Sequence, residues 1–296
     1  MLKIKLILCP VDFSEFSATA YRYALSVAEH YQAKLVVQHI VELWRYPSAG
    51  FAASASLYDE FCQSLCENGK EHLQEFVKNY ARDGTQLELV VHQGMAPDSI
   101  LSFAQAKKAD VIVMGTHGQR GYDRLMLGSV TDRVMRSASC PVLVVRNPPR
   151  ELMATDTEGR HVHLLRQILF CTDFSENSEL ALNYAISATE EYDAELTLLH
   201  VLEEVPSRAN KEKAMAAATE QLAKLIPSEA RKSLKIKTAV RIGKPYRQII
   251  QFAVEEQIDM VAMGVRGRGA LDLAVFGSTT YRVMQLGPCP VLAVRV

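Results

Sequence analysis

A glycine-rich pattern occurs twice in the chain with the same spacing, G-x2-G-x9-G-S. The two occurrences consist of Gly115, Gly118 and Gly128-Ser129, and of Gly264, Gly267 and Gly277-Ser278. Glycine lets the main chain turn with positive φ and lets phosphate oxygens approach main-chain N–H groups. Each final Gly-Ser stands where a helix is predicted to begin, and a helix N-terminus favours negative charge. The pattern therefore predicts an anion-binding cradle in each half of the chain.

Side chains around the pattern are of types that suit a nucleotide. Hydroxyl donors are available from Ser129, Thr131, Ser278 and Thr280, and positive charge from His117, Arg120, Arg266 and Arg268. Asp12 and Asp173 each follow the first predicted strand of a copy, at the edge where open α/β sheets bind ligands. A carboxylate there can accept hydrogen bonds from a ribose hydroxyl or an adenine amino group.

Two common nucleotide-binding motifs are missing from the sequence. No GxxxxGK(S/T) occurs, and Gly267-Arg-Gly269 lacks the third glycine of GxGxxG. The alternative interpretation is that the glycines only shape turns and cap helices. Identical spacing in two copies, each with an upstream aspartate, favours the anion cradle.

These residues belong to a tandem repeat. Asp12-Phe-Ser-Glu15 recurs 161 residues later as Asp173-Phe-Ser-Glu176, whereas the glycines recur at an offset of 149. The other shared segments are KLVVQHIVE and ELTLLHVLE, ADVIVMGTHG and IDMVAMGVRG, and SCPVLVVR and PCPVLAVR. An extra loop predicted at 44–60 in the first copy absorbs the difference in offset. The alignment pairs His39 with His200, and their strand-end positions favour a structural role.

Hydrophobic periodicity predicts five strands alternating with four helices in each copy. In the first copy the strands are predicted at 6–11, 34–41, 86–94, 110–116 and 141–146, and the helices at 17–31, 57–82, 97–109 and 128–138. Ser14 is predicted to cap the first helix. The alternation indicates an α/β fold with two tandem doubly wound domains, each a five-stranded parallel sheet flanked by helices.

The domain boundaries follow from the repeat. We place the first domain at 1–147, a linker at 148–163 and the second domain at 164–296. The linker region has a Pro pair, polar residues and little periodicity. His161-Val-His163 alternates as a strand does, but two histidines alone do not favour a metal site.

Composition narrows the class of protein. The 33 Lys+Arg and 34 Asp+Glu give a net charge of −1, which excludes a generally basic nucleic-acid coat. No apolar run reaches the roughly 18–20 residues that span a bilayer, and the apolar N-terminal segment runs into Asp12, so we interpret it as a strand. Six cysteines without a CxxC pair indicate reduced thiols and a cytoplasmic protein without metal.

The chain resembles a tandem universal stress protein of the ATP-binding branch. The resemblance rests on (V/T)-D-F-S-E after the first strand, H-(I/V) at the end of the second, M-G-x2-G-x9-G-S-x-T, and the terminal CPVL strand. It implies a fold similar to the adenine nucleotide alpha hydrolases (Rossmann-like), and ATP or another adenine nucleotide as ligand, with Mg²⁺ able to bind through the phosphates. The binding residues implied are Pro10, Val11, Asp12, Ile40, Met114, Gly115, Gly118, Gly128, Ser129, Val130 and Thr131 in the first copy, and Thr172, Asp173, Val201, Met263, Gly264, Gly267, Gly277, Ser278, Thr279 and Thr280 in the second.

The second copy departs from the family pattern at two places. Cys171 stands where the first copy has Pro10, and Val265-Arg266 stands where the first copy has Thr116-His117. These departures make equal affinity of the two sites doubtful and favour the first copy.

The resemblance also implies how the halves associate. Members of the family dimerise through the last strand, so the halves are expected to form an intrachain pseudo-dimer through 141–146 and 290–295. The resemblance does not decide whether whole chains form a homodimer or whether the chain has a protein partner. Nucleic acid and membrane are not expected partners.

The sequence is compatible with three functions. The first is an ATP-binding module for stress response or signalling with little or no turnover, because no residue is a convincing general base and no catalytic residue is assigned. The second is a slow ATPase or an autophosphorylating enzyme. The third is a nucleotide-free interaction scaffold.

Overall fold

We analysed a computed structural model of the chain. It describes residues 3–43, 55–80, 85–118, 127–146, 153–155, 161–163, 165–203, 208–265 and 277–295. Arg120, Arg266, Gly267 and Arg268 lie outside the described residues, as does most of the predicted 44–60 loop.

The first copy contains five strands and four helices in strict alternation. They are β1 (Leu6–Val11), α1 (Glu15–Tyr31), β2 (Lys34–Val41), α2 (Ala55–Lys78), β3 (Leu87–Gln93), α3 (Ala96–Lys107), β4 (Val111–Gly115), α4 (Ser129–Ser137) and β5 (Val142–Val145). The predicted elements are all present. The side chain of Ser14 caps α1 by accepting a hydrogen bond from Ser17 N at 3.2 Å, as predicted.

A short antiparallel hairpin, β6 (Met153–Thr155) paired with β7 (His161–His163), precedes the second copy. The second copy consists of β8 (Gln167–Cys171), α5 (Glu176–Glu191), β9 (Glu195–Leu202), α6 (Arg208–Leu225), α7 (Ser228–Ser233), β10 (Lys235–Ile242), α8 (Pro245–Glu255), β11 (Met260–Gly264), α9 (Ser278–Leu286) and β12 (Val291–Val294).

Several boundaries differ from the sequence prediction, and the second copy has five helices instead of the four predicted, because α6 and α7 stand where one helix was expected. Helix α2 begins at Ala55, inside the predicted 44–60 loop, and ends at Lys78 rather than at 82. The linker region has secondary structure because β6 and β7 pair with each other, although no long period marks them in the sequence. The alternation at His161-Val-His163 agrees with β7, whereas its partner β6 is too short for periodicity to reveal.

All ten remaining strands form one sheet in the order β10-β9-β8-β11-β12-β5-β4-β1-β2-β3. Within each copy the five strands are parallel, which confirms the predicted doubly wound domains. The first and fourth strands of each copy are neighbours. Their carboxyl ends therefore meet at one point of the sheet edge, which is where such sheets bind ligands.

Two hydrophobic cores cover the two faces of the sheet, and each extends through both copies. One core packs α1, α2, α5 and α6 against the sheet, with Tyr21 and Phe170 among its fully buried side chains. The other packs α3, α4, α8 and α9, with Ile100 and Met135 fully buried. Because both faces are covered, the central strands are apolar along their whole length.

The last strands of the two copies pair with each other. β5 and β12 are antiparallel, with Leu143 opposite Leu292, which confirms the predicted pseudo-dimer contact. Two arginines add reciprocal contacts: Arg146 Nη1 donates to Gly287 O at 3.2 Å, and Arg295 Nη1 donates to Arg136 O. A cation at the last carbonyls of a helix is favourable, so each copy stabilises the end of a helix in the other.

Candidate functional site

The first strand ends in a tight turn built around Asp12. Asp12 Oδ1 accepts hydrogen bonds from Ser14 N at 3.1 Å and Ser14 Oγ at 2.6 Å. Phe13, between them, has φ of 66°, a conformation that bulky residues rarely adopt. The turn orients the carboxylate of Asp12 at the carboxyl edge of the sheet, immediately before α1.

The second copy has the same turn. Asp173 Oδ1 accepts from Ser175 N at 3.1 Å and Ser175 Oγ at 2.6 Å, and Phe174 has φ of 60°. The sequence motif D-F-S-E therefore encodes a defined backbone geometry in each copy. The strained phenylalanines were missed by the sequence reasoning, although the Asp-x-Ser spacing is a signal for such a side-chain-to-backbone turn.

The two aligned histidines hold the ends of the first strands in place. His39 Nδ1 donates to Val11 O at 2.9 Å, and His200 Nδ1 donates to Thr172 O at 2.8 Å. Each ring also lies against the phenylalanine of the turn, with the Phe13 and His39 centroids 4.3 Å apart. These contacts agree with the structural role predicted for both histidines.

Close packing requires two of the glycines in the first pattern. A Cβ at Gly115 would lie 2.8 Å from Phe16 O in the first turn of α1, and a Cβ at Gly118 would lie 2.4 Å from Asp12 Oδ2. Both distances are shorter than real Cβ contacts: at Gly115 the backbone of α1 would have to shift, and at Gly118 the carboxylate of Asp12. The glycines thus bring the loop after β4 directly against the Asp12 turn.

The positive φ predicted for these glycines is not found at the five that the structure describes; Gly267 lies outside them. Among the described glycines only Gly94 and Gly243 have positive φ, and both lie outside the pattern. Gly128 has φ of −59° and ψ of 140°, an ordinary conformation for a residue that precedes a helix. In the first copy these glycines serve close approach, Gly115 to the backbone of α1 and Gly118 to the carboxylate of Asp12.

A pair of hydrogen bonds closes the base of the glycine loop in each copy. In the first, Gly128 N donates to Thr116 O at 2.8 Å and Thr131 Oγ1 donates to Gly115 O at 2.8 Å. The corresponding bonds in the second copy are Gly277 N to Val265 O at 3.1 Å and Thr280 Oγ1 to Gly264 O at 2.9 Å. In each copy the chain therefore leaves the end of the fourth strand and returns to it at the same point.

The threonine hydroxyls have a different role from the one expected. A hydroxyl carries a single hydrogen, and Thr131 and Thr280 each give theirs to a strand-end carbonyl. Both residues are buried. Of the four hydroxyls predicted as donors, those of Ser129 and Ser278 are left to a ligand at the helix starts.

The N-termini of α4 and α9 are open. Gly128 and Gly277 are the residues before the two helices, and neither helix has a side-chain cap. Within the described part of the chain, no acceptor is seen for the main-chain N–H groups of Ser129, Val130 and Thr131 in α4. Uncapped N–H groups together with the helix dipole form a favourable position for an anion.

The remaining predicted residues surround this edge. Val11, Met114 and Met263 are buried in the cores, so their side chains face away from a ligand and only main-chain atoms are left to contact one. Pro10 is also buried, whereas Ile40, Val201, Ser129, Ser278, Val130 and Thr279 are partly or fully exposed. Gly267 falls outside the described residues. In the first copy, the structure brings Asp12, Gly115, Gly118 and the start of α4 together.

The second copy differs chemically at its strand end. The hydroxyl of Thr172 accepts a hydrogen bond from Phe174 N at 2.9 Å and lies 2.8 Å from Ser178 Oγ, a small network that Val11 cannot form in the first copy. Burial raises the pKa of the neighbouring Cys171 thiol far above its usual range. The thiol is therefore neutral at physiological pH and is not an activated nucleophile.

Two further observations concern metals and membranes. Among the described residues, no group of three or more His, Cys, Asp or Glu side chains is arranged to hold a metal ion. None of the described helices combines the length and the hydropathy needed to cross a bilayer.

Comparison with known proteins identifies the family. The model of the universal stress protein family matches residues 3–146 and again residues 165–295. The chain belongs to the universal stress protein family. The two matches cover both copies of the repeat, so the chain is a tandem member with two such domains.

Relatives and solved structures agree with this assignment. A universal stress protein of Methanocaldococcus jannaschii is 36% identical over 147 residues, which cover 50% of this chain and 85% of the relative. One of Mycolicibacterium smegmatis is 26% identical over 302 residues and covers 98% of this chain and 96% of its own length. The crystal structure of a universal stress protein from Archaeoglobus fulgidus covers 99% of both chains with a TM-score of 0.72 at 21% identity, a similarity of fold.

Proposed function

We propose that this tandem universal stress protein binds an adenine nucleotide, ATP in the first place, at the carboxyl edge of each parallel sheet. The observation that carries the proposal is the open N-terminus of α4 beside the close-packed Gly118 and Asp12 turn. The same strand-end bonds and an uncapped α9 recur in the second copy.

Each part of a nucleotide has a matching group at this edge. The N–H groups and the serine hydroxyl at the helix start suit phosphate oxygens, which accept hydrogen bonds and carry negative charge. The aspartate carboxylate, held by its turn, suits the hydroxyls of ribose or the amino group of adenine. Mg²⁺ would be held through the phosphates, because no described cluster of carboxylates is present to bind it.

The proposed role is retention of nucleotide as a signal, with little turnover. Asp12 Oδ1 is already engaged by Ser14, and His39 Nδ1 donates to a carbonyl. The imidazole of His117, in the glycine loop, is engaged through Nδ1, which lies 2.9 Å from Thr116 Oγ1, and we assign none of these groups as a general base. We therefore propose a binding module whose occupancy changes its interactions, in a stress response and in the cytoplasm.

Nucleotide retention can be tested on the purified chain. Bound small molecules released by denaturation are identified by mass spectrometry, and ATP, ADP and GTP are then titrated by calorimetry. We expect adenine nucleotides to be released and ATP to bind more tightly than GTP. Absence of ATP binding would contradict the proposal and favour the nucleotide-free interaction scaffold. Product that scales with protein and disappears in Asp12 or Asp173 variants would support the slow ATPase or autophosphorylating enzyme.

The aspartate can be tested with a matched control. Asp12→Asn retains an oxygen for the turn with Ser14 but removes the negative charge. We expect about tenfold weaker ATP binding at the first site, about 1.4 kcal/mol. Glu88→Gln is the control, because Glu88 is a partly exposed carboxylate paired with Lys34 at 2.6 Å at the starts of β3 and β2, the opposite edge of the sheet. Equal effects of the two substitutions would contradict the role of Asp12.

A further inference from the structure

The glycine loop of the first copy is held by a residue of the second copy. Leu127 N donates a hydrogen bond to Tyr281 Oη at 3.2 Å. Leu127 directly precedes Gly128, the residue before α4, and is buried. Tyr281 lies in the first turn of α9, three residues after Ser278 at the start of the second site. The bond therefore connects the phosphate-binding ends proposed for the two copies.

The residue at the equivalent position of the first copy is of a different chemical type. The repeat aligns Tyr281 with Asp132, which is a carboxylate and is committed to its own helix. Arg136 Nε donates to Asp132 Oδ2 at 2.8 Å and Arg136 Nη2 donates to Asp132 Oδ1 at 3.0 Å. A tyrosine on one side and an ion-paired aspartate on the other make the junction between the two helices asymmetric.

We infer that Tyr281 is a positioning residue for the nucleotide site of the first copy, supplied by the other domain. This inference rests on the proposed nucleotide binding. A partly buried main-chain N–H needs an acceptor, and fixing it determines where the chain enters Gly128 and α4. A loop that is already in its binding geometry loses less conformational entropy when the ligand arrives. The affinity of the first site thus depends on the second domain.

Tyr281→Phe tests the inference because it removes only the hydroxyl. ATP is titrated into this variant in two backgrounds, Gly267→Val to block the second site and Gly118→Val to block the first. We expect about threefold to tenfold weaker binding when only the first site is open, consistent with the loss of one hydrogen bond. Binding through the second site should stay within twofold of its value with Tyr281 present.

Tyr246→Phe is the matched control. Tyr246 lies in the same domain, and its hydroxyl accepts a hydrogen bond from its neighbour Arg247 at 3.1 Å. Arg282 lies over the ring of Tyr246, and Tyr281 and Arg282 line the same surface cavity, so the two tyrosines are near each other. Equal loss of affinity at both sites, or the same loss in Tyr246→Phe, would overturn the inference by showing general destabilisation. No change at the first site would overturn it as well.

A second readout does not depend on nucleotide. The amide hydrogen of Leu127 should exchange faster in Tyr281→Phe than in the parent chain or in Tyr246→Phe, measured by mass spectrometry or NMR without ligand. Unchanged exchange would overturn the inference. If the parent chain binds no ATP, the proposed function fails, whereas this measurement still decides whether Tyr281 positions the loop.

Discussion

Phe13 and Phe174 have the least favourable backbone conformation beside the two proposed sites. A bulky residue at φ near 60° costs on the order of 1–3 kcal/mol and persists only where its surroundings enforce it. Here the aspartate turn on one side and the histidine ring on the other do so in both copies. The same strain at two equivalent positions agrees with a shared requirement on where the aspartate points.

Ser14 and Ser175 offer a matched test of this turn. Ser14 Oγ bonds Asp12 and also caps α1, whereas Ser175 Oγ bonds Asp173 but does not cap α5. We expect Ser14→Ala to lower the stability of its domain by about 1 kcal/mol more than Ser175→Ala lowers that of its own. Urea denaturation followed by domain-resolved hydrogen exchange measures both, and equal losses would contradict the assigned cap.

At the scale of residues, the sequence identified which residues form the proposed sites better than it identified the contacts that they make. The spacing of the glycines and the upstream aspartates was sufficient to find the residues that meet at the sheet edge. The spacing was not sufficient to show what the glycines do in the fold. Close approach at Gly115 and Gly118 depends on α1 and on Asp12, which are distant in sequence. For the same reason the periodicity gave no sign that Thr131 bonds a strand-end carbonyl.

At the scale of elements, the pairing of β5 with β12 joins two domains into one continuous sheet. The repeat and the family resemblance predicted which strands would meet, and their register became visible only in the structure. The parallel strands were predictable from apolar runs separated by helices. The hairpin β6-β7 and the start of α2 were not, because short strands and helix ends leave weak patterns in the sequence.

A designed disulfide tests this register. Directly opposite residues in an antiparallel pair have Cα atoms about 4.5–5.5 Å apart, within disulfide range. Leu143→Cys with Leu292→Cys should therefore oxidise to an intrachain disulfide, detected by peptide mapping. Leu143→Cys with Val291→Cys should not, because adjacent residues of a strand point to opposite faces. A disulfide in the second pair and none in the first would contradict the register.

For the whole molecule, the tandem arrangement places a dimer-like contact inside one chain. Besides β5 and β12, the two arginines bond helix ends across the junction, and the His30 ring stacks on Tyr192 with centroids 4.1 Å apart. Hydrophobic cores on both faces run through the junction. The junction is thus built from the same kinds of contact that stabilise a domain interior.

Cleavage between the domains tests how strong this junction is. A protease site inserted between 147 and 152 would separate the chain into two pieces. We expect the pieces to elute together in size-exclusion chromatography, because the contacts at the junction do not require a continuous backbone. Arg146→Ala combined with Arg295→Ala should weaken the association. Separate elution of the unsubstituted pieces would show that the linker, and not the junction, holds the domains together.

The stoichiometry of ATP binding tests the central claim most directly. Calorimetry compares the parent chain with Gly118→Val, Gly267→Val and the double variant, each checked by circular dichroism for an unchanged fold. A side chain at Gly118 meets Asp12 Oδ2 and should close the first site. We predict two ATP molecules per parent chain, one per single variant and none in the double variant. Unchanged affinity and stoichiometry in the double variant would contradict the account.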